Sequence, residues 1–270
     1  MIRYVDSPAR EKKLLDVLAG EDLLHGCILS TYWNAQTAGA DFWVCENGQV
    51  PYGALLRLGR SFLFCSGQRP DLGELAEFLR FMDCRSLCGR LAVLEPLCSP
   101  LGLPAPAHAP AMACRDASLL PSPDAVSPSI QIRREMEKMR PVYDLILEHY
   151  EGFDNYGGGP GYDNWLSGMR LRERDGICGV WGLYVDGMLA STASILAASG
   201  RCIDIGALVT RRELRGRGYA ARLLARLAAL AGQSGRFPVL GCAREELVSY
   251  YRRLGFSPYD RWAAAEKPWL

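Results

Sequence analysis

Apolar positions recur at two periods along this chain, and the alternation between them lays out its elements. Leu14, Leu15 and Leu18 share a helical face behind Ser7 and Pro8, which suit an N-cap and a first helical position, with Gly20 as the stop. Short apolar runs at 26–33, 41–46, 52–58 and 61–65 read as strands, and Asn47-Gly48 between the second and third is a hairpin signal. Helical spacing returns after Asp71 with Leu75, Phe78, Leu79 and Met82, and 91–94 reads as one more strand.

The second half begins with a strand at 130–133, a helix ending at Tyr150 and a short helix over 163–172. Strands at 180–185 and 188–196 follow, joined by Asp186-Gly187, and then a strand over 203–209. That strand feeds a helix whose apolar face is Leu223, Leu224, Leu227 and Leu230. A strand at 239–240, a helix over 245–253 and an extended segment at 256–262 complete the pattern. Hairpin, strand, helix and strand thus occur in the same order twice, which points to an old duplication.

Between the halves, 96–128 is rich in Pro, Ala and Ser, a composition that disfavours regular structure and predicts an extended connector. The expected division is a smaller α/β domain at 1–95, a linker at 96–128 and a second domain at 129–270. A length of 270 residues is consistent with two domains. Thirty-one basic and thirty acidic residues nearly cancel, so no global field favours nucleic acid or an acidic membrane. No apolar run is long enough to span a bilayer and the start has no apolar signal region, which predicts a cytoplasmic protein. The ten cysteines are scattered, several in apolar runs, and with three dispersed histidines they form no recognised zinc spacing. They read as reduced core thiols, and no metal is expected.

One turn carries the chemistry. Arg211, Arg212, Arg215 and Arg217 crowd the start of the helix at 219, although cations are unfavourable at that end of the helix dipole. No Ser, Thr, Asp or Asn stands ready to cap it, so its first N–H groups lack a side-chain acceptor. A bound phosphate would resolve both problems, and Gly216 and Gly218 let the backbone close around one. The matching helix of the first half has Asp71 as a cap and Glu74 as a capping-box partner, so an anion would be unwelcome there.

The stretch Arg215 to Ala220, RGRGYA, resembles the R/Q-x-x-G-x-G/A pyrophosphate loop of the GNAT superfamily of N-acetyltransferases. Downstream, YYRRLGF from Tyr250 to Phe256 resembles the Y-x-x-L-G-F segment of the same fold. The resemblance covers roughly 129–262. It implies an α/β (α+β) GNAT fold with a mixed, mostly antiparallel central sheet flanked by helices; the smaller domain before it, which the resemblance does not reach, reads as GNAT-like (a degenerate repeat) or as another mixed α/β domain, without the cofactor loop.

It further implies transfer of an acetyl group from acetyl-CoA to a primary amine of a small molecule or peptide, by direct attack in a ternary complex. The cofactor contacts it implies are Leu208, Val209, Thr210, Arg215, Gly216, Arg217, Gly218, Tyr219 and Ala220. Tyr251 falls where the family's thiolate-protonating tyrosine stands, and Tyr250 points elsewhere on its helix. Asp204 falls where histone-type members carry a glutamate base, and a structural hydrogen bond is the other reading of it. Phe153, Asp154, Tyr156, Tyr162, Asp163 and Trp165 are candidate acceptor contacts, or loop aromatics that pack on the domain. The family often carries an asparagine ahead of the last helix, where this chain reads Cys242-Ala243-Arg244. A non-catalytic acyl-CoA-binding or regulatory protein, or an acyltransferase with another donor, is the alternative, and the assembly is a monomer or homodimer.

Overall fold

The computed structural model describes residues 1–20, 23–33, 39–122, 129–135, 137–150, 161–173, 178–242 and 244–268. The first half runs β1 (Ile2–Tyr4), α1 (Pro8–Leu18), α2 (Leu23–Trp33), β2 (Ala40–Asn47), β3 (Val50–Leu58), β4 (Ser61–Ser66), α3 (Leu72–Phe81), β5 (Ser86–Arg90), α4 (Leu91–Leu101) and β6 (Ala107–Ala113). The second runs β7 (Ile130–Glu135), α5 (Met139–His149), α6 (Tyr162–Glu173), β8 (Gly179–Val185), β9 (Met188–Ala198), β10 (Cys202–Thr210), α7 (Tyr219–Gln233), β11 (Phe237–Gly241), α8 (Val248–Arg253) and β12 (Ser257–Glu266). Among the described residues the order repeats element for element, and in each half one parallel strand pair, β4 with β5 and β10 with β11, flanks a single crossover helix.

All strands among the described residues belong to one twelve-stranded sheet in the order β1-β2-β3-β4-β5-β12-β6-β11-β10-β9-β8-β7. The halves have exchanged their last strands. β6 pairs with β11 of the second half, β12 pairs with β5 of the first, and the two exchanged strands pair with each other at the centre. Packing follows the exchange: Ala263 and Ala265 of β12 are buried in the first half's core with Phe64, Leu79 and Leu97, and Met112 of β6 is buried with Leu223, Leu224 and Ile203 of the second. The sheet is mixed and mostly antiparallel, with helices on both faces, as expected. No helix among the described residues is long and apolar enough to cross a membrane.

Three local expectations are corrected. Residues 26–33 form helix α2, not a strand. α2 packs on α1 and on strands β4, β9 and β10, so it is apolar on several sides and shows no helical stripe to read. Residues 91–94 open helix α4 instead of making a strand, and the proline-rich stretch from 96 onward is not an extended connector throughout. α4 holds both Pro96 and Pro100 because Leu94, Leu97, Cys98 and Leu101 bury its other face. In β6, Pro110 stands just past the ladder with β11, which covers Ala111–Ala113, and its carbonyl accepts from the Cys242 N–H at 2.8 Å.

Both hairpin turns hold, with Gly48 at φ +61°, Asp186 at +49° and Gly187 at +81°. Asp71 caps α3, accepting from the N–H groups of Gly73 and Glu74 at 3.0 and 3.1 Å. Glu74 does not close a capping box; its carboxylate accepts from the Ile2 N–H at 2.9 Å and so fastens β1 to α3.

Candidate active site

The site forms where the second half's sheet comes apart. β10 and β11 pair in parallel only from Cys202–Asp204 to Phe237–Val239, after which β11 continues against β6. Beyond Asp204, β10 bulges: between Gly206 and Val209 it advances three residues while β9 advances two, and Ala207 takes φ +48°. Such a bulge bends its strand and leaves backbone groups outside the ladder. A left-handed conformation at a residue with a Cβ is a strained one. Ala207 and Leu208, without ladder partners on β9, line a cleft of about 600 Å³.

The walls of this cleft are Gly206 to Thr210 on one side and Leu240, Gly241, Tyr250 and Tyr251 on the other, with Arg215, Gly216, Gly218, Tyr219 and Ala220 at its head. All the sequence-predicted cofactor contacts line it except Arg217. α7 begins at Tyr219 with Gly218 as N-cap at φ +78° and no side-chain cap, and Gly216 is also at φ +78°. A Cβ at either glycine would meet nothing within 4 Å, so backbone conformation alone requires glycine there and the space before the helix is open. Arg215 braces the loop, donating to the carbonyls of Thr210 at 3.2 Å and His149 at 3.1 Å. Arg211 does the same through Leu189 O at 2.7 Å. These two arginines therefore fix the loop's shape as well as contributing charge. The opposed end of the first half's α3 is closed by the Asp71 carboxylate.

Tyr251, on α8, is buried with its ring against Tyr250 and Phe256, at centroid distances of 5.2 and 5.8 Å. Burial, with the neighbouring Cys242 and Tyr rings, pushes its hydroxyl well above the ordinary tyrosine value of 10, so it holds its proton across the physiological range. Tyr250 also borders the cleft, contrary to the expectation that it points elsewhere.

Asp204 lies on the sheet face opposite Ile203 and Ile205, which pack under α7, and it sits at the last paired position before the strands part. It does not line the cleft itself. Burial raises its carboxyl from 3.8 to about 7, against the pull of the Arg172 guanidinium, while part of the residue's surface remains accessible. Its side chain meets Cys27 of α2, with Sγ 4.0 Å from Oδ2.

Tyr162 and Trp165 pack in the α5–α6 cluster, with Trp165 buried and both rings about Tyr143 at 5.5 and 5.4 Å. Neither borders the cleft. Phe153, Asp154 and Tyr156 lie outside the described residues. The sequence reading missed His149, Tyr150, Arg244, Leu247 and Arg253, which all line the cleft. His149 is buried at the end of α5, and among the described residues neither ring nitrogen has a hydrogen bond, Nε2 lying 3.5 Å from the Glu148 carboxylate. Nothing in its sequence neighbourhood marks it; only the closing of α5 against the loop does. Arg244 occupies the region where the family's asparagine was missed. None of the ten cysteines is in a disulfide, and no group of three or more His, Cys, Asp or Glu among the described residues could hold a metal ion.

Residues 139–256 match the model of the acetyltransferase (GNAT) family. The whole chain is similar in fold to a tandem GNAT protein from the clavulanic acid biosynthesis pathway, at 18% identity and TM-score 0.58, over 100% of this chain and 99% of that one. A GCN5-related N-acetyltransferase from Sphaerobacter thermophilus aligns over 99% of this chain and 95% of its own, at 16% identity and TM-score 0.63. A Drosophila protein aligns over 99% and 98%, at 13% identity and TM-score 0.67. No curated protein matches the chain.

Proposed function

We propose that the second half, which carries the GNAT acetyltransferase domain, transfers the acetyl group of acetyl-CoA to a primary amine of a small molecule or peptide, and that the first half binds no cofactor. The observation that carries this reading is the uncapped N-terminus of α7 behind Gly216 and Gly218, opening onto a cleft beside a bulged strand with Tyr251 in its wall. The open space before the two glycines and the absence of a side-chain cap fit a pyrophosphate, which the free N–H groups of the first turn would hold. The unpaired backbone at Ala207 and Leu208 offers hydrogen bonds to an extended pantetheine arm and to the acyl oxygen.

Acetyl-CoA supplies a thioester carbon, at which the amine's C–N bond forms as the C–S bond breaks. The protein's part is to manage protons. An alkyl ammonium with a pKa near 10.4 must lose a proton before it can attack, at about 4 to 5 kcal/mol at pH 7. Asp204, raised to about 7, stands one residue before Ile205 of the cleft wall and receives that proton through an ordered-water relay, for which it is a far better acceptor than an ordinary carboxylate. Tyr251 lines the cleft and keeps its proton at physiological pH, so it is the group available to protonate the departing thiolate, although its raised pKa makes it a weaker acid than an ordinary tyrosine.

Calorimetric titration of acetyl-CoA into the wild type and a Gly218→Glu variant tests the reading. Binding by the wild type alone supports it and leads to an amine screen followed by free-thiol release. Equal binding by both, or by neither, overturns it.

A further inference from the structure

His149 brings polar atoms without partners to the wall of the cleft. It ends the buried face of α5, following Val142, Leu145 and Ile146 at helical spacing, and that face packs against Val209 of β10. The residue is 7% exposed and borders the cleft. Among the described residues neither Nδ1 nor Nε2 makes a hydrogen bond. The exposed Glu148 carboxylate stands 3.5 Å from Nε2, at the limit of a hydrogen bond, and draws the ring's proton to that nitrogen. Nδ1 is then an acceptor with nothing to accept, a state that is costly inside a protein and calls for a reason.

The backbone fixes where along the cleft this acceptor stands. One guanidinium, that of Arg215, donates to His149 O at 3.1 Å and to Thr210 O at 3.2 Å, which ties the end of α5 to the last residue of β10. Thr210 lies between the bulge at Ala207 and Leu208 and the glycines that precede α7. Asp204 is six residues back along the same strand, up to about 20 Å away at 3.3 Å per residue, so His149 is remote from the amine's proton. The last turn of α5 is also the negative end of a helix dipole, which disfavours phosphate oxygens. An uncharged N–H is the partner that suits this position, and a secondary amide supplies one. Between its pyrophosphate and its thioester, acetyl-CoA is an arm containing two secondary amides.

Resting on the acyl-transfer reading above, we propose that His149 is a specificity residue for the acyl donor, its Nδ1 accepting an amide N–H of the pantetheine arm where the arm passes Thr210. The arm is thereby read by a side chain as well as by the unpaired backbone of β10.

Calorimetry on the intact protein tests this with acetyl-CoA and with 3′-phosphoadenosine 5′-diphosphate, which is the donor's nucleotide without its arm. His149→Leu should weaken acetyl-CoA binding by about ten-fold, the size of one buried hydrogen bond, and leave the nucleotide within about two-fold. His149→Asn, whose Oδ1 replaces Nδ1 as an acceptor, should recover most of the loss. Two acetyl-CoA analogues, each with an ester oxygen in place of one amide N–H, identify the partner. One of them should bind the wild type about ten-fold more weakly than acetyl-CoA does, and the penalty should vanish in His149→Leu.

Unchanged acetyl-CoA affinity in His149→Leu, an equal loss for both ligands, or an ester penalty that persists in that variant would each overturn the assignment while leaving the acyl-transfer reading in place. A wild type that does not bind acetyl-CoA at all would overturn both.

Discussion

Asp204→Asn should make the protein more stable above neutral pH while removing its turnover. Burial raises the carboxyl from 3.8 to about 7, so between those values the folded chain keeps a proton that the unfolded chain has released. With more protons bound in the folded state, stability falls as pH rises through this window and levels off above about pH 7. At 1.36 kcal/mol per unit, the wild type loses up to about 4 kcal/mol across it. The figure is an upper value, because the accessible part of the residue lets water relax some of the burial. Asparagine has nearly the same shape and cannot ionise, so the variant is spared this loss.

Urea unfolding of both proteins from pH 4 to pH 8 provides the assay, since every other titrating group is common to the two. The variant's advantage should be near zero at pH 4 and grow to several kcal/mol by pH 8. A difference that stays flat, or that grows in the wild type's favour, would show that the fold stabilises the charged carboxylate and would remove the basis for treating Asp204 as a base. In the active enzyme the same ionisation should appear as kcat/KM rising through about pH 7.

Other consequences can be checked with single substitutions. Tyr251→Phe removes the proton donor and should lower kcat by about a hundred-fold or more while calorimetric affinity for acetyl-CoA stays within about two-fold; equal turnover would reduce Tyr251 to packing against Phe256. Asp71→Ala frees two N–H groups of α3 and should cost about 1 kcal/mol in thermal or urea unfolding with no effect on acetyl-CoA binding. Ala263→Leu overfills the fully buried β12 position in the first half's core and should cost about 1 to 3 kcal/mol, seen as one shifted unfolding transition. Two separate transitions would show that the halves fold independently.

What was legible in the sequence was local. The cap of α3, the missing cap of α7, the loop glycines and both hairpins are settled by residues a few positions apart, and the structure has them as read. α2 was misread because burial on several sides erases the periodicity that announces a helix. β6 was misread because Ala and Pro have little strand preference of their own; its strand form comes from partners on β11 and β12. The pair Cys27 and Asp204 is 177 residues apart in sequence, and nothing short of the assembled sheet could bring it to notice. The bulge at Ala207 was hidden for a similar reason, since it is defined by register against β9.

The exchanged strands also set an order of events during synthesis. β5 of the first half leaves the ribosome long before Ser257–Glu266, the strand that will lie along its edge, and β6 is made before the β11 that receives it. Until the second half is complete, the nascent chain carries an unpaired strand edge, the feature most prone to pairing with a neighbouring molecule. The first half can therefore reach its final sheet only after the second has been translated, and the early elements wait for the last.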